Sequence, residues 1–352
     1  MRNPILLLAL ATGLVAGQGS ARVLDADVIR NDPDTVTLSW SDPDPVAIYE
    51  ADRADFALTD AHRLAQSARG GQFAVAHAGV VRHYFALVDL RDHHRVDVAE
   101  RLIPLAQGSN FRDIGGYVGA GGKRVRWGLI YRSGATPLLT EADVAMVHTL
   151  GVTQMVDLRS DEERMVAPTK INGVPYAAVG YGLTDLVRSA GPGPIHNGAD
   201  LYRNFPQLLA PQLKIVFAHL LHDKTPLVYN CSAGQDRTGF VTAMILTALG
   251  VPQATIVADY HLSTRYRRPE FEMPPFDPAL ATTHPGLQIF AGYRTRPGWN
   301  VAQPLMDKDG QPFLRGAFDA IRDKWGSVDA YLQAEAGVGP AQIAQLRSEY
   351  LE

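Results

Sequence analysis

The chain has 352 residues, of which 46% are hydrophobic and 20% charged, with a net charge of -4 at neutral pH. This is the composition of a globular protein with ample core, and it excludes a global field that would steer the chain to nucleic acid or an anionic membrane. Length favours two domains, and a single cysteine, Cys231, excludes an internal disulfide.

The chain opens with Arg2, an apolar stretch from Ile5 to Val15, and small residues at Ala16-Gly17 and Gly19-Ser20-Ala21. This is the pattern of a secretory signal peptide over residues 1–21, and the apolar stretch is shorter than the ~20 residues a spanning helix needs. The mature chain is therefore expected to be exported, periplasmic or secreted, with no membrane span. In an oxidising compartment an unpaired thiol is a liability, so a lone Cys231 asks for a chemical reason. The competing reading is a buried cysteine acting as a small hydrophobe.

Residues 22–106 alternate as half-buried strands do. In Thr35-Val36-Thr37-Leu38-Ser39-Trp40, Val36, Leu38 and Trp40 share one face. Similar stretches recur at Val46 to Glu50, Phe73 to Val75, Tyr84 to Leu90 and Val96 to Leu102, separated by turns such as Asp42-Pro43-Asp44-Pro45 and Gly70-Gly71. The spacing predicts a small antiparallel β-sandwich without catalytic residues, similar to a fibronectin type III module. His93-His94 lacks a partnering carboxylate or cysteine in sequence and reads as a solvated turn, not a metal site.

From Gln107 to Glu352 helices and strands alternate. Thr140 caps a helix over Glu141 to Leu150 with Asp143 completing a capping box and Gly151 ending it. A buried strand follows at Val152 to Leu158, a helix at Pro211 to Leu221, and a strand at Pro226 to Tyr229. This order predicts an α/β domain with a parallel sheet and helices on both faces, with ligands at the carboxyl ends of strands.

Cys231 lies at one such end and opens the run Cys231-Ser232-Ala233-Gly234-Gln235-Asp236-Arg237-Thr238-Gly239. Gly234 lets successive N–H groups turn toward one centre, as anion sites require. The helix expected from Thr238 to Leu249 adds the positive end of its dipole, and Arg237 holds two phosphate oxygens side by side. Loop, helix and cation together favour the thiolate, the nucleophilic form of cysteine. Cys231 would attack phosphorus to give a cysteinyl-phosphate, and Thr238 would donate its hydroxyl to the sulfur as it leaves. The phosphate-binding loop is Ser232, Ala233, Gly234, Gln235, Asp236 and Arg237, and the scheme calls for no metal and no other cofactor. Each part has a bland counterpart, a surface ion pair or an ordinary turn, but the strand before and the helix after favour the joined reading.

The run ending Asp236-Arg237-Thr238-Gly239-Phe240 resembles the signature of cysteine-dependent tyrosine phosphatases, in a bacterial branch of secreted enzymes with dual-specificity and phosphoinositide activity. Further matches are Asn110-Phe111-Arg112-Asp113-Ile114-Gly115-Gly116-Tyr117, Ile130-Tyr131-Arg132-Ser133, Val156-Asp157-Leu158-Arg159-Ser160 and Val257-Ala258-Asp259-Tyr260, with tail helices from Trp325 to Arg347. The resemblance spans Gln107 to Glu352 apart from a stretch at 263–312. It implies a phosphotyrosine phosphatase of wider specificity, acting on a phosphorylated protein or a small phosphomonoester. It also implies a general acid inside the loop at Asp236, with Asp157, Asp161 and Asp185 as alternatives.

Two residues depart from that pattern. Asn230 stands where the family has histidine and carries no charge to support the thiolate; Gln235 stands where phosphoinositide-acting members often have lysine. Arg112 and Asp113 are expected to form an internal ion pair near the loop, with Arg159 in a similar role. The basic, aromatic, Pro-rich stretch from Thr264 to Arg296 is expected to form either a lid within 263–312 or a solvated insertion. Tyr202 and Arg203 are candidates for the rim. The alternatives to a tyrosine phosphatase are an inositol polyphosphate or phosphoinositide phosphatase of the cysteine type, and a phosphate-binding pseudophosphatase. A sulfurtransferase lacks the Arg-Thr-Gly ending.

Overall fold

The computed structural model describes residues 24–76, 81–185, 198–223 and 225–352. The leader read at 1–21 lies outside them.

Seven strands form two antiparallel sheets. β1 (Leu24–Asp32), β2 (Thr35–Ser41) and β5 (Gln72–Ala76) make one, in the order β1-β2-β5; β3 (Val46–Ala51), β4 (His62–Ala68), β6 (Tyr84–Asp89) and β7 (Arg95–Ala99) make the other, in the order β4-β3-β6-β7. Val36, Leu38 and Trp40 point inward on alternate residues and meet Ile48, Phe85, Leu87, Val96 and Val98 from the facing sheet in one core. Sequence alternation passes over β1 and β4, for a physical reason. β4 is an edge strand with no fully buried residue, so its chain is not constrained to an apolar period.

The second region is built on five strands in the order β11-β10-β12-β9-β8, where β8 is Arg112–Asp113, β9 Ile130–Ser133, β10 Gln154–Asp157, β11 Tyr176–Ala178 and β12 Leu227–Asn230. β9, β12, β10 and β11 run parallel, and β8 is an antiparallel edge. β12 is central and buried throughout. Its Leu227 and Tyr229 face a core with the helices Ala210–His222 and Arg237–Ala248, while Val228 faces a second core with Val147 and Leu150. Both faces of the sheet are therefore covered, as a parallel sheet requires. The helix expected after Thr140 spans Glu141–Thr149 with its capping box formed.

The stretch after the helix Gln253–Tyr266 runs as short turns and a helix at Pro278–Thr283. Met273 and Leu287 pack there against Val166 and Ala167, at the end of the short helix Asp161–Val166. The two regions are joined by buried polar contacts. Arg82, 3% exposed, donates to Asp113 Oδ2 at 2.8 Å and to the Tyr84 and Tyr131 hydroxyls at 2.6 and 2.9 Å. Trp127 inserts into the sandwich core and its indole N–H donates to the Asp97 carbonyl at 3.0 Å.

Candidate active site

β12 delivers Cys231 to the carboxyl edge of the sheet, 1% exposed, and the helix Arg237–Ala248 starts six residues later. The turn between them depends on Gly234, whose φ is +65°. A Cβ there would lie 2.5 Å from Gly134 N and 2.6 Å from the Ser133 carbonyl, so only glycine fits. The Gly234 carbonyl points away from the loop's interior and accepts from Asn110 Nδ2 at 2.8 Å and Arg132 Nη2 at 2.9 Å. The Ser232 carbonyl accepts from Ala135 N–H at 2.9 Å. With their carbonyls held outward by the surrounding scaffold, the loop N–H groups are left for an anion.

The scaffold's charge centre is Asp259, 1% exposed. Arg132 Nη1 reaches its Oδ2 at 2.6 Å, Arg112 Nε its Oδ1 at 3.3 Å, and the Tyr117 hydroxyl its Oδ1 at 2.9 Å. Burial alone would raise this carboxyl, but the Arg112 and Arg132 guanidinium groups hold it well below the usual range. The expected Arg112–Asp113 pair does not form. The two are successive residues of β8, whose side chains point to opposite faces, so Arg112 turns to Asp259 and Asp113 to Arg82. Arg159 does pair locally, with Asp157 at 2.6 Å.

Arg237 is held by a residue that sequence reading passed over, Glu163. Its Nη1 and Nη2 donate to Glu163 Oε2 and Oε1, both at 2.6 Å, and Nη1 also donates to the Tyr181 hydroxyl at 2.7 Å. Tyr181 in turn donates to the Leu158 carbonyl, and Ser232 Oγ donates to Glu163 Oε1 at 2.6 Å. A guanidinium has five N–H donors. These contacts engage three of them among the described residues, and leave Nε–H and one Nη2–H, which lie along the same edge of the plane. Burial works against ionisation of Glu163, yet Arg237, with the Ser232 and backbone hydrogen bonds, lowers its carboxyl to about 2. The signal for Glu163 was in the sequence. Ser160 and Glu163 form the capping box of the helix Asp161–Val166, and that box fixes Glu163 under the loop.

Asp236 Oδ1 accepts from the Tyr202 hydroxyl at 2.5 Å, and Tyr202 accepts from the Tyr260 hydroxyl at 2.7 Å. Burial, then Asp236 and Tyr260, hold the Tyr202 phenol well above its ordinary value, so it stays a donor. Tyr202 is 1% exposed and lies under the loop instead of at a rim, while Arg203 pairs with Asp323 on the surface. Among the other acid candidates, Asp157 is fully buried and engaged by Arg159 and Thr169; Asp161 contacts Arg164, and Asp185, exposed in a helical segment, accepts from Gly182 N–H. Gln235 Oε1 accepts from Arg267 Nη1 at 2.6 Å, and Arg267 pairs with Glu272 at 2.8 Å.

Two buried polar atoms at the loop have no hydrogen-bond partner among the described residues, Thr238 Oγ1 and Asn230 Oδ1. The Thr238 hydroxyl thus makes no hydrogen bond to the Cys231 sulfur in this state.

A family model described as the tyrosine phosphatase family matches residues 103–352. A Cupriavidus necator protein, named as an inferred tyrosine-protein phosphatase, is 34% identical over 69% of this chain and 86% of its own length. The triple specificity protein phosphatase PtpB of Mycobacterium tuberculosis is 28% identical over 69% of this chain and 96% of its own. A tyrosine-protein phosphatase of Nostoc commune is 29% identical over 59% of this chain and 69% of its own. With a cysteine at the end of a central strand, a glycine turn, and an arginine held at the start of a helix, the chain belongs to the tyrosine phosphatase family and is a protein tyrosine phosphatase.

Proposed function

We propose that Cys231 carries the phosphoryl group and that Arg237 binds it through the two N–H donors its protein partners leave unengaged. That Nε/Nη2 edge, unengaged among the described residues, is the observation on which the reading rests: Glu163 and Tyr181 occupy the rest of the guanidinium and fix its plane. Two parallel N–H groups match two phosphate oxygens. In the first step the Cys231 thiolate forms an S–P bond as the P–O bond to the leaving group breaks, and Asp236 gives its proton to the leaving oxygen. In the second, water attacks phosphorus, its proton returns to Asp236, and the S–P bond breaks to restore the thiolate. The Tyr202 hydroxyl on Asp236 Oδ1 supports this role by leaving Oδ2 to hold the proton. The unpartnered Thr238 hydroxyl supports a donor to the departing sulfur. Loop amides, with the helix N-terminus, stabilise charge on the phosphoryl oxygens.

The substrate is a phosphorylated protein, with phosphotyrosine first. Wider specificity is supported by the triple specificity of the Mycobacterium tuberculosis relative. The apolar leader supports an exported enzyme; among the described residues no helix is long and apolar enough to cross a membrane. Hydrolysis of a phosphopeptide and inositol phosphate panel by wild type and Cys231→Ser, with chelator present, tests the reading. Turnover should fall by about 10³-fold or more in the variant and be untouched by chelator in wild type. Activity surviving in Cys231→Ser would overturn the mechanism. Asp236→Asn should slow poor leaving groups more than good ones, and equal loss on both would remove Asp236 from the acid role.

A further inference from the structure

At one end of the sandwich the chain leaves β2 and crosses to β3 through Asp42-Pro43-Asp44-Pro45. Asp89 ends β6 beside it, in register with Val46. The two turns are tied together, since Leu90 N–H donates to the Pro45 carbonyl at 3.0 Å. Carboxylate oxygens of Asp42, Asp44 and Asp89 lie within 4.8 Å of one another.

Each of two carboxylates uses one oxygen locally and leaves the other bare. Asp42 Oδ1 accepts from Asp44 N–H at 2.8 Å, and Asp89 Oδ1 from Arg91 N–H at 2.6 Å. Asp42 Oδ2 and Asp89 Oδ2 are buried with no hydrogen-bond partner among the described residues, and Asp89 is 0% exposed. Burying an unpaired carboxylate oxygen is costly, and converging several is costlier. The cation in contact is Arg91, whose Nη1 reaches Asp44 Oδ2 at 3.3 Å from a side chain 57% exposed. That pair touches neither bare oxygen.

We propose that Asp42, Asp44 and Asp89 bind a divalent cation of the calcium type, clasping the β2–β3 crossing to the β6–β7 turn. An all-oxygen donor set with no thiolate and no imidazole selects a hard cation. Three carboxylates on two tight turns form an irregular set, which suits Ca²⁺, with its six to eight flexible positions, better than the strict octahedron of Mg²⁺. Backbone carbonyls and water complete the shell. Nearby, His93 is exposed with φ +60° and His94 is half-buried.

The test uses the full chain stripped with chelator and dialysed. Calorimetric titration with CaCl₂ should show one site with a Kd at or below about 1 mM, and MgCl₂ should bind at least about tenfold more weakly. At about a hundred times the Kd the unfolding midpoint should rise by about 5 °C. Asp42→Asn/Asp44→Asn should lose both effects while keeping wild-type phosphatase turnover, which reports that it folds. Asp89→Asn, which retains an oxygen for the Arg91 amide, serves as the second variant. Absence of saturable Ca²⁺ binding up to about 5 mM in wild type overturns the proposal, and so does unchanged binding in folded Asp42→Asn/Asp44→Asn or Asp89→Asn.

Discussion

Two clusters of buried arginine and carboxylate flank the loop after Cys231, and they differ in where the arginine's leftover donors lie: Arg132 Nε is sealed in without a partner among the described residues, whereas Arg237 is 8% exposed. Around Asp259, Arg112 distributes its donors over Asp259, Asn110 and Ser263, while Arg132 bridges Asp259 to the Gly234 carbonyl. Both side chains are 0% exposed. Under the loop, Arg237 meets Glu163 end-on and, among the described residues, keeps its Nε/Nη2 edge unengaged. The first cluster holds the loop in shape, and the second fixes the plane of the arginine proposed to bind phosphate. Buried ion pairs are weak evidence for stability in themselves; what separates the clusters is whether the remaining donors are shut away, as Arg132 Nε is, or belong to a side chain that reaches the surface, as Arg237 does.

Substitutions should pull the two clusters apart. The largest effect on turnover is expected at the working arginine: Arg237→Lys replaces a planar fork with a point charge, and kcat/KM for a phosphopeptide should drop by about 10²–10³-fold with little change in unfolding midpoint. A comparable loss of stability in that variant would mean that Arg237 is scaffold too. Asp259→Asn should do the reverse. It leaves two buried guanidinium groups undercompensated and should cost about 3–5 kcal/mol in urea unfolding, while the folded fraction retains most of its turnover.

Glu163→Gln sits between them, with about 2 kcal/mol lost, because glutamine keeps one acceptor for Arg237. Inorganic phosphate should raise its unfolding midpoint more than that of Asp259→Asn, since the oxyanion takes over as the arginine's partner. Equal shifts would show that Glu163 does not tune the phosphate site.

A further contrast is in the acid response. Glu163 lies at about 2 in the folded chain, below its ordinary 4.5. A carboxyl depressed by folding contributes stability in full above its unfolded value, and loses it as pH falls from about 4.5 toward 2. The loss from this one group is about 3 kcal/mol. The slope of unfolding free energy against pH in that window should be shallower in Glu163→Gln than in wild type. Asp259, depressed in the same direction, keeps part of the slope in both.

Strand–loop–helix order around Cys231 was legible because three local signals coincide: the apolar run Leu227-Val228-Tyr229, a glycine in the loop that follows, and a helix ended by Gly250. The inward residues of β2 followed from simple alternation. What stayed hidden depends on distance in sequence. Arg237 and Glu163 are 74 residues apart, and Arg132 and Asp259 are 127 apart. No periodicity encodes such a pairing, whereas neighbouring Arg112 and Asp113 invited a pairing that strand geometry forbids. Thr238 shows the same limit at short range, since its residue type announces a donor but not that its hydroxyl is left without a partner among the described residues.

Arg82 carries a practical consequence for dissection. It comes from the sandwich side, yet it is the cation for Asp113, which is 0% exposed and also receives the Gly115 and Gly128 amides. Cutting the chain near residue 103, where the family match begins, would strip that carboxylate of its counter-charge in a dry site. A truncated catalytic fragment that misbehaves would then be reporting an abandoned anion, and its failure should not be taken as proof that the sandwich recruits substrate. Pairing the truncation with Asp113→Asn separates the two meanings: recovery of turnover assigns the defect to electrostatics at the seam.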